Sequence, residues 1–431
     1  MIGGGHLGLY CALRLSTKAK PGEVEVTVVD PNSHMTYQPF LPEAAAGNIE
    51  PRHAVIPLRR VLRRCRIIGG TVTGIDHARR CATVQPLVGP PRELHYDQIV
   101  AAPGGVSRTV PIPGLAEVAV GFQSIGEAIW LRNRVLERME VAAITTDAEV
   151  RQRALTFVFI GGGYAGVEAM AELEDMTRDA MKYFPELSVS DMRWVLVEMA
   201  SRIMPEVDPD LAEYTVRELR DRGLDVRLGT QLKSCVDGHV VLSDGTELDA
   251  DTIAWTAGVK PNPMLRQTDL PLDDKGRIRC TATLQVVRDG AVVPGAWSAG
   301  DCAAVPDLSK DDPNALCAPT AQHAVRQAHT LADNILAVVR GGDPVEYRHA
   351  YAGSVASLGL HKGVAQVYGV KLRGWPAWFA HRTYHMSRIP TLNRKARVIA
   401  DWTLALLFKR EVTALGQLHE PRRRFETAAS R

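Results

Sequence analysis

The sequence predicts an α/β fold with two Rossmann-like dinucleotide-binding domains and a C-terminal segment of small sheet plus amphipathic helices. Three observations carry this. Gly3, Gly5 and Gly8 stand at GxGxxG spacing, and Gly161, Gly163 and Gly166 repeat it in the middle third of the chain. A strand-like run late in the chain ends in Gly300 and Asp301. A glycine triplet alone is weak, because plain turns also use glycine. It gains meaning with a strand before it, a helix after it and an acidic residue closing the next strand. The glycines then allow a tight turn, and the helix N-terminus holds a pyrophosphate through free N–H groups and its dipole.

The second loop meets all three conditions. Residues 155–160 read as a buried parallel strand, 167–177 as a helix with Tyr164 at its entrance, and 193–197 as a strand closed by Glu198. Residues 178–191 add a helix extension and loop, so Glu198 lies beyond the usual spacing of about 20 residues. A carboxylate there accepts from both adenosine ribose hydroxyls and repels a 2′-phosphate, which favours NADH. In the first loop, 8–15 begins a helix, and the strand 25–29 closes in Asp30. Only Met1 and Ile2 precede Gly3, so the first strand is expected to be truncated.

Along the chain, 33–47 reads as an ordered loop, at least up to Pro42, carrying Gln38 and Pro39 over the first dinucleotide, and 52–64 as a basic helix. Strands are expected at 67–76, 82–86 and 93–100, followed by Ala102 and Gly104, small enough for a flat cofactor to approach. A helix at 124–139 leads to the second loop. An amphipathic helix at 209–223 and a meander at 226–228, 239–242 and 247–248 follow. The strand 251–255 closes in Ala257 and Gly258, where a nicotinamide would pack. Asp301, after 278–297, suits a ribityl hydroxyl, and the long helix 319–341 starts towards the ring system that Asp301 holds. The expected domains are 1–114 and 271–345 for the first dinucleotide, 115–150 as a connecting helix, 151–270 for the second, and 346–431 as the C-terminal segment.

Composition narrows the class. A net charge of +2 over 431 residues, with 45% hydrophobic residues, gives no bulk-charge argument for nucleic acid. No apolar run reaches the roughly 18–20 residues that span a bilayer, and Met1 runs straight into a glycine loop, so a cytoplasmic location is expected. The seven cysteines form no CxxC or CxxxxC pair, which excludes a flavin disulfide reductase, and no His/Cys spacing predicts a metal. In 353–369 two strands are expected, then helices at 375–389 and 396–417 broken at Pro390. They carry Trp375, Trp378, Phe379, Trp402, Leu406, Leu407 and Phe408 among Lys371, Arg373, Arg382, Arg388, Arg394, Lys395, Arg397, Lys409 and Arg410. Such a face suits an anionic membrane surface, or else the sheet or a second copy of the chain in a homodimer.

The two loops in this order, 37–47 as YQPFLPEAAAG, 253–259 as IAWTAGV, 299–301 as AGD and 319–327 as PTAQHAVRQ together resemble the two-dinucleotide-binding flavoproteins, and among them the type II NADH:quinone oxidoreductases. The resemblance covers nearly the whole chain. It implies that the first loop, Asp30, Gly300, Asp301 and Ala321 hold FAD, and that the second loop, Glu168 and Glu198 hold NADH. It further implies that Glu172 lies near the meeting of the two rings, and that Gln322, with His323 and Arg326, lines a quinone pocket. The C-terminal helices would place the protein peripherally on the inner face of the cell membrane. Glu172 and Gln322 are then the catalytic candidates, for proton exchange and for a hydrogen bond to a quinone oxygen. The chain departs from the family's AQxAxQ at Arg326, has Ala165 where threonine is frequent, and is more charged in its last helices. A soluble NADH-dependent reductase of another acceptor, a sulfide:quinone oxidoreductase using Cys302 or Cys317, and a flavoprotein that turns over poorly are the competing expectations.

Overall fold

The computed structural model describes residues 1–349, 353–416 and Glu426. The chain forms two compact units, Met1–Thr36 with Val55–Arg108 and Val259–Tyr351, and Tyr37–Ala54 with Thr109–Gly258 and Ala352–Arg431.

In the first unit Thr27–Asp30 pairs parallel with Arg66–Asp76, which continues antiparallel into Cys81–Pro86 and Arg92–His95. Ile99–Ala101 pairs parallel with Ala291–Ser298. At the place of a first strand, Met1 and Ile2 make the pairing contacts. Ile2 bridges Val29 on one side and Ala101 on the other. Ile2 N–H donates to the Val100 carbonyl, Gly3 N–H to Val29, and the Met1 amine to Thr27 at 2.8 Å. Helix His6–Lys18 lies along helix Ala321–Val339, with Leu7, Cys11 and Leu15 in one core with Ala324, Ala328 and Leu331. Arg14 grips Asp333 across this pair at 2.6 and 2.8 Å.

The second unit is built on a five-stranded parallel sheet in the order Asp225–Arg227, Arg193–Val197, Thr156–Ile160, Thr252–Trp255, Ala119–Val120. Every residue of Thr156–Ile160 is buried, the mark of a strand covered on both faces. Ile125–Ile144 starts at a capping box between Ser124 and Glu127, worth about 1 kcal/mol. An antiparallel sheet of Gly353–Ser357, Gly363–Val367 and Val370–Arg373 then carries helices Trp375–Arg388 and Leu392–Phe408.

Several sequence expectations change: 93–100 is two strands, Arg92–His95 and Ile99–Ala101, Asp225–Arg227 joins the parallel sheet and not the meander, and the last helix ends at Phe408. The stretch 33–47 is not one loop: His34–Thr36 is a strand, Gln38–Phe40 a short 3-10 turn and Leu41–Ala45 a helix, because Phe40, Leu41, Ala44 and Ala45 bury their side chains. The expected basic helix at 52–64 is a strand, Val55–Pro57, between two single turns, since Pro57 lacks the donor that a longer helix would need there. The C-terminal sheet has three strands, not two. Among the expected end residues, Gln417 lies outside the described ones.

Candidate functional site

The two glycine loops fold alike. Gly3 and Gly161 sit at φ +93° and +111°, and a Cβ on either would strike backbone, at Ala102 and at Thr256 respectively. Gly8 and Gly166 lie so close to the carbonyls of Gly3 and Gly161 that no Cβ fits. Gly5 and Gly163 are open, with nothing within 4 Å, and each N-caps its helix without a side-chain cap. The helix-start N–H groups thus face an open cradle, as a pyrophosphate requires. The closing acids are locked to the same loops: Gly4 N–H donates to Asp30 Oδ2 at 2.7 Å, and Gly162 N–H to Glu198 Oε2 at 2.6 Å. Ala200 N–H binds the other Glu198 oxygen at 2.7 Å. Gly4 and Gly162, which the glycine spacing passes over, are therefore the residues that tie each loop to its acid.

Around the first loop, Ala102 is buried against Gly3, and Gly104 takes φ +71° with no atom within 4 Å of a Cβ. Burial pushes the Asp301 carboxyl up, and among the described residues it forms no ion pair. A half-buried carboxylate of this kind fits a ligand hydroxyl. Ala321 opens the helix that Thr320 caps through His323 N–H at 3.2 Å. Gln322 is half-buried, and Arg326 donates to its Oε1 at 3.3 Å. His323 turns inward, to the Tyr347 hydroxyl at 3.0 Å and onto the His349 ring at 4.1 Å. Gln327, not singled out by its motif position, has its Oε1 on Gly300 N–H at 2.8 Å. Its place on the buried face of Ala324, Ala328 and Leu331 was the available signal.

In the second unit Ala257 and Gly258 close Thr252–Trp255, with Gly258 at φ +89° and open. Tyr164 is half-buried at the helix start. Gln38 and Pro39 belong to this unit, where Gln38 Nε2 donates to the Gln123 carbonyl at 3.4 Å. Glu168 and Glu172 are buried on helix Tyr164–Ala180. Glu168 Oε1 accepts from Ser357 N–H at 2.8 Å. Glu172 accepts from Ser357 Oγ at 2.5 Å and Asn48 Nδ2 at 3.0 Å. Burial, reinforced by Glu43, pushes the Glu172 carboxyl up to about 7. Glu43 is buried too, held by Arg382 at 2.9 Å and by Trp402 Nε1 at 2.7 Å, and Arg382 is stacked between Trp378 and Trp402. Trp378 and Arg382, expected on an outward membrane face, thus turn inward, because Glu43 supplies a buried countercharge.

Cys302 and Cys317 are both buried, and burial raises each thiol to about 11. Neither is poised as a thiolate nucleophile.

Duplicated dinucleotide cradles on an α/β scaffold define a class, and residues 1–328 match the pyridine nucleotide-disulphide oxidoreductase family. The chain belongs to that family. It is 28% identical over its full length to 92% of a type II NADH:quinone oxidoreductase of Mycobacterium tuberculosis. It is also 28% identical, over 90% of its length, to 86% of a probable NADH dehydrogenase of Dictyostelium discoideum. A Plasmodium falciparum NDH2 structure in complex with NADH shares the fold with a TM-score of 0.88 at 16% identity, over 96% of this chain and 98% of that one.

Proposed function

We propose that this protein is an FAD-dependent NADH:quinone oxidoreductase. The observation that carries the reading is the pair of cradles, each with an open middle glycine and a carboxylate fastened to the loop. The full-length similarity to a type II NADH:quinone oxidoreductase supports it. Gly3, Gly5, Gly8 and Asp30 would hold the adenosine and pyrophosphate of FAD, Ala102, Gly104 and Ala321 would lie against it, and Asp301 would take its ribityl chain. Gly161, Gly163, Gly166 and Glu198 would hold NADH. When bound, the two cofactors supply hydride transfer and an electron store. The protein supplies position. Within each unit an open glycine, Gly104 in the first and Gly258 in the second, leaves room for a flat ring against the backbone. Glu198, fixed by two N–H donors, presents its outer lone pairs to ribose hydroxyls. Gln322, its amide fixed by Arg326, would hydrogen-bond a quinone oxygen. Glu172, its carboxyl pushed up by burial, would exchange the proton that quinone reduction consumes.

The C-terminal helices would lie on an anionic membrane surface. Trp375, Phe379, Leu404, Leu406, Leu407 and Phe408 are exposed beside the exposed Arg388, Arg397 and Lys409. No helix among the described residues is long and apolar enough to cross a membrane. Replacing Leu406, Leu407 and Phe408 by Glu should release the protein from phosphatidylserine vesicles in a flotation assay; retained flotation would refute the surface role. A second copy of the chain is the other cover for this face, and a dimer mass in detergent-free solution that the triple substitution abolishes would identify it.

The central test is anaerobic titration with NADH and with NADPH, followed by reoxidation with a panel of quinones. NADH should bleach the flavin well ahead of NADPH, and a quinone should restore it. No bleaching by either nucleotide would sink the reading.

A further inference from the structure

The motif position of His323 points it at a quinone pocket, yet its ring is buried and turns inward. What it meets there is a carboxylate and a thiol. Asp307 and Cys317 are buried too, and one ligand atom from each of the three residues lies within 4.8 Å of the other two. All three belong to the first unit.

The local backbone explains the convergence. After Ala303–Ala304 the chain folds back on itself: Asp307 N–H donates to the Ala315 carbonyl at 2.8 Å, Cys317 N–H to Val305 at 2.9 Å, and Pro306 bridges Leu316 antiparallel. This pairing brings Asp307 beside Cys317. Thr320 then caps helix Ala321–Val339, and His323 stands in its first turn.

Each group is oriented from outside the trio. Asp307 Oδ1 accepts from the Ser309 N–H at 3.1 Å and its hydroxyl at 2.6 Å. Its Oδ2 has the exposed Lys310 Nζ at 3.8 Å, beyond hydrogen-bond distance. Cys317 Sγ lies 3.6 Å from the Pro306 carbonyl, a weak contact. The Tyr347 hydroxyl takes His323 Nδ1 at 3.0 Å, which assigns Nε2 as the ligand atom. His349 backs that hydroxyl at 3.1 Å, and Arg326 in turn donates to His349 at 3.1 Å. A plain buried polar cluster would spend its groups on one another. Here no hydrogen bond joins any two of Asp307, Cys317 and His323. An imidazole whose far nitrogen is fixed by a hydroxyl is the usual arrangement of a metal-bound histidine.

The donor set selects the ion. Thiolate, imidazole and carboxylate together suit Zn²⁺, whereas Mg²⁺ and Ca²⁺ take oxygen sets. Tetrahedral bonds of about 2.0–2.3 Å place ligand atoms roughly 3.3–3.8 Å apart, so side-chain rotations of about 1 Å close the site. We infer that Asp307, Cys317 and His323 bind one Zn²⁺, with water in the fourth position, and that the ion clips the segment 305–318 to helix Ala321–Val339. The Cys317 S–H bond breaks as the sulfur–zinc bond forms, and the proton leaves to solvent. The ion is a structural clip outside the redox reaction, so the site stands independently of the proposed activity.

The test uses the full-length protein, stripped with a chelator and titrated with Zn²⁺ against a chelating dye. One equivalent should bind and raise the melting temperature, and Mg²⁺ or Ca²⁺ should do neither. Co²⁺ in the same site should give tetrahedral d–d absorption at wavelengths longer than a flavin absorbs. Cys317→Ala should lose this absorption and weaken Zn²⁺ binding about 100-fold or more, while Tyr347→Phe, which removes only the hydroxyl that orients His323, should weaken it about tenfold. Asp307→Asn, close in shape, should also lose the tight site, and matching circular dichroism of the zinc-free variants would show that they fold. Cys81→Ala is the control, because Cys81, Glu93 and His95 also gather on the hairpin of the first unit; it should bind Zn²⁺ as the unaltered protein does. Absence of one-to-one Zn²⁺ binding, or unchanged affinity in Cys317→Ala, would overturn the site. Loss of binding in Cys81→Ala alone would overturn it in favour of the hairpin.

Discussion

The two helices that follow the glycine loops make an instructive pair. Both start at an open glycine N-cap, and both loops are fastened to an acid by the N–H of the glycine after the first. Beyond the first turn they diverge. Helix His6–Lys18 buries Leu7, Leu9, Cys11, Ala12 and Leu15, an apolar face against helix Ala321–Val339. Helix Tyr164–Ala180 buries Glu168, Glu172, Glu174 and Asp175. Four carboxylates at that depth need partners, and each has one. Glu174 is gripped by Arg178 and Arg222, Asp175 by Arg410, Glu168 by the Ser357 N–H, and Glu172 by Asn48 and the Ser357 hydroxyl. The lesson is that the loop fixes what is held, whereas the inner face of the next helix fixes what chemistry can follow. One helix buries an apolar face, and the other a row of carboxylates.

Equivalent substitutions in the two loops should break the comparison most visibly. Gly8→Val should yield protein purified without bound flavin, seen as loss of the visible flavin band. Gly166→Val should keep that band but slow bleaching by NADH by about 100-fold or more, since small displacements at this range are that costly. If both variants lost flavin equally, the division of labour between the loops would fail.

Glu172→Gln comes next. Quinone-dependent turnover should fall by about 100-fold with NADH bleaching intact, the scale of a lost general acid. The same variant carries a stability signature. Glu172 binds its proton more tightly folded than unfolded, so its contribution is full below about pH 4.5 and is lost as pH rises through about 7. The unaltered protein should therefore lose thermal stability across that window, and Glu172→Gln should flatten the decline. An unchanged slope in the melting series would show that Glu172 is not the group responsible.

Glu198→Ala should reduce the preference for NADH over NADPH by one to two orders of magnitude, the worth of charge-assisted hydrogen bonds, read from kcat/KM for each nucleotide. The smallest effect is expected at the buried thiols. Cys302→Ala and Cys317→Ala should leave NADH:quinone turnover within about twofold, because neither thiol ionises near neutrality. A full loss would revive sulfur chemistry.

Much of this was legible in the residues, for a physical reason. Phosphate cradles depend on local backbone freedom, so Gly3, Gly8, Gly161 and Gly166 mark themselves by spacing, and Asp30 and Glu198 by closing the next strand. The strand Arg193–Val197 and the meander strand His239–Leu242 were readable to the residue, because buried and alternating patterns are written locally. What stayed hidden involves partners far apart in sequence. Arg382 has the sequence context of a membrane-facing cation, but its partner Glu43, 2.9 Å away, stands more than 300 positions earlier. His381 drew no notice, because its partner Glu168 lies over 200 positions earlier. The short stretch 33–64 was misread because its strand and turns are held by tertiary burial, which outweighs weak local propensity over so few residues.

The sequence by itself determined the two glycine loops and the acids that close the strands after them, since turn geometry and strand periodicity are properties of neighbouring residues. Only the tertiary structure decided which carboxylates are buried together and what partners they find, because the ionisation of a buried group depends on the charges that folding brings around it.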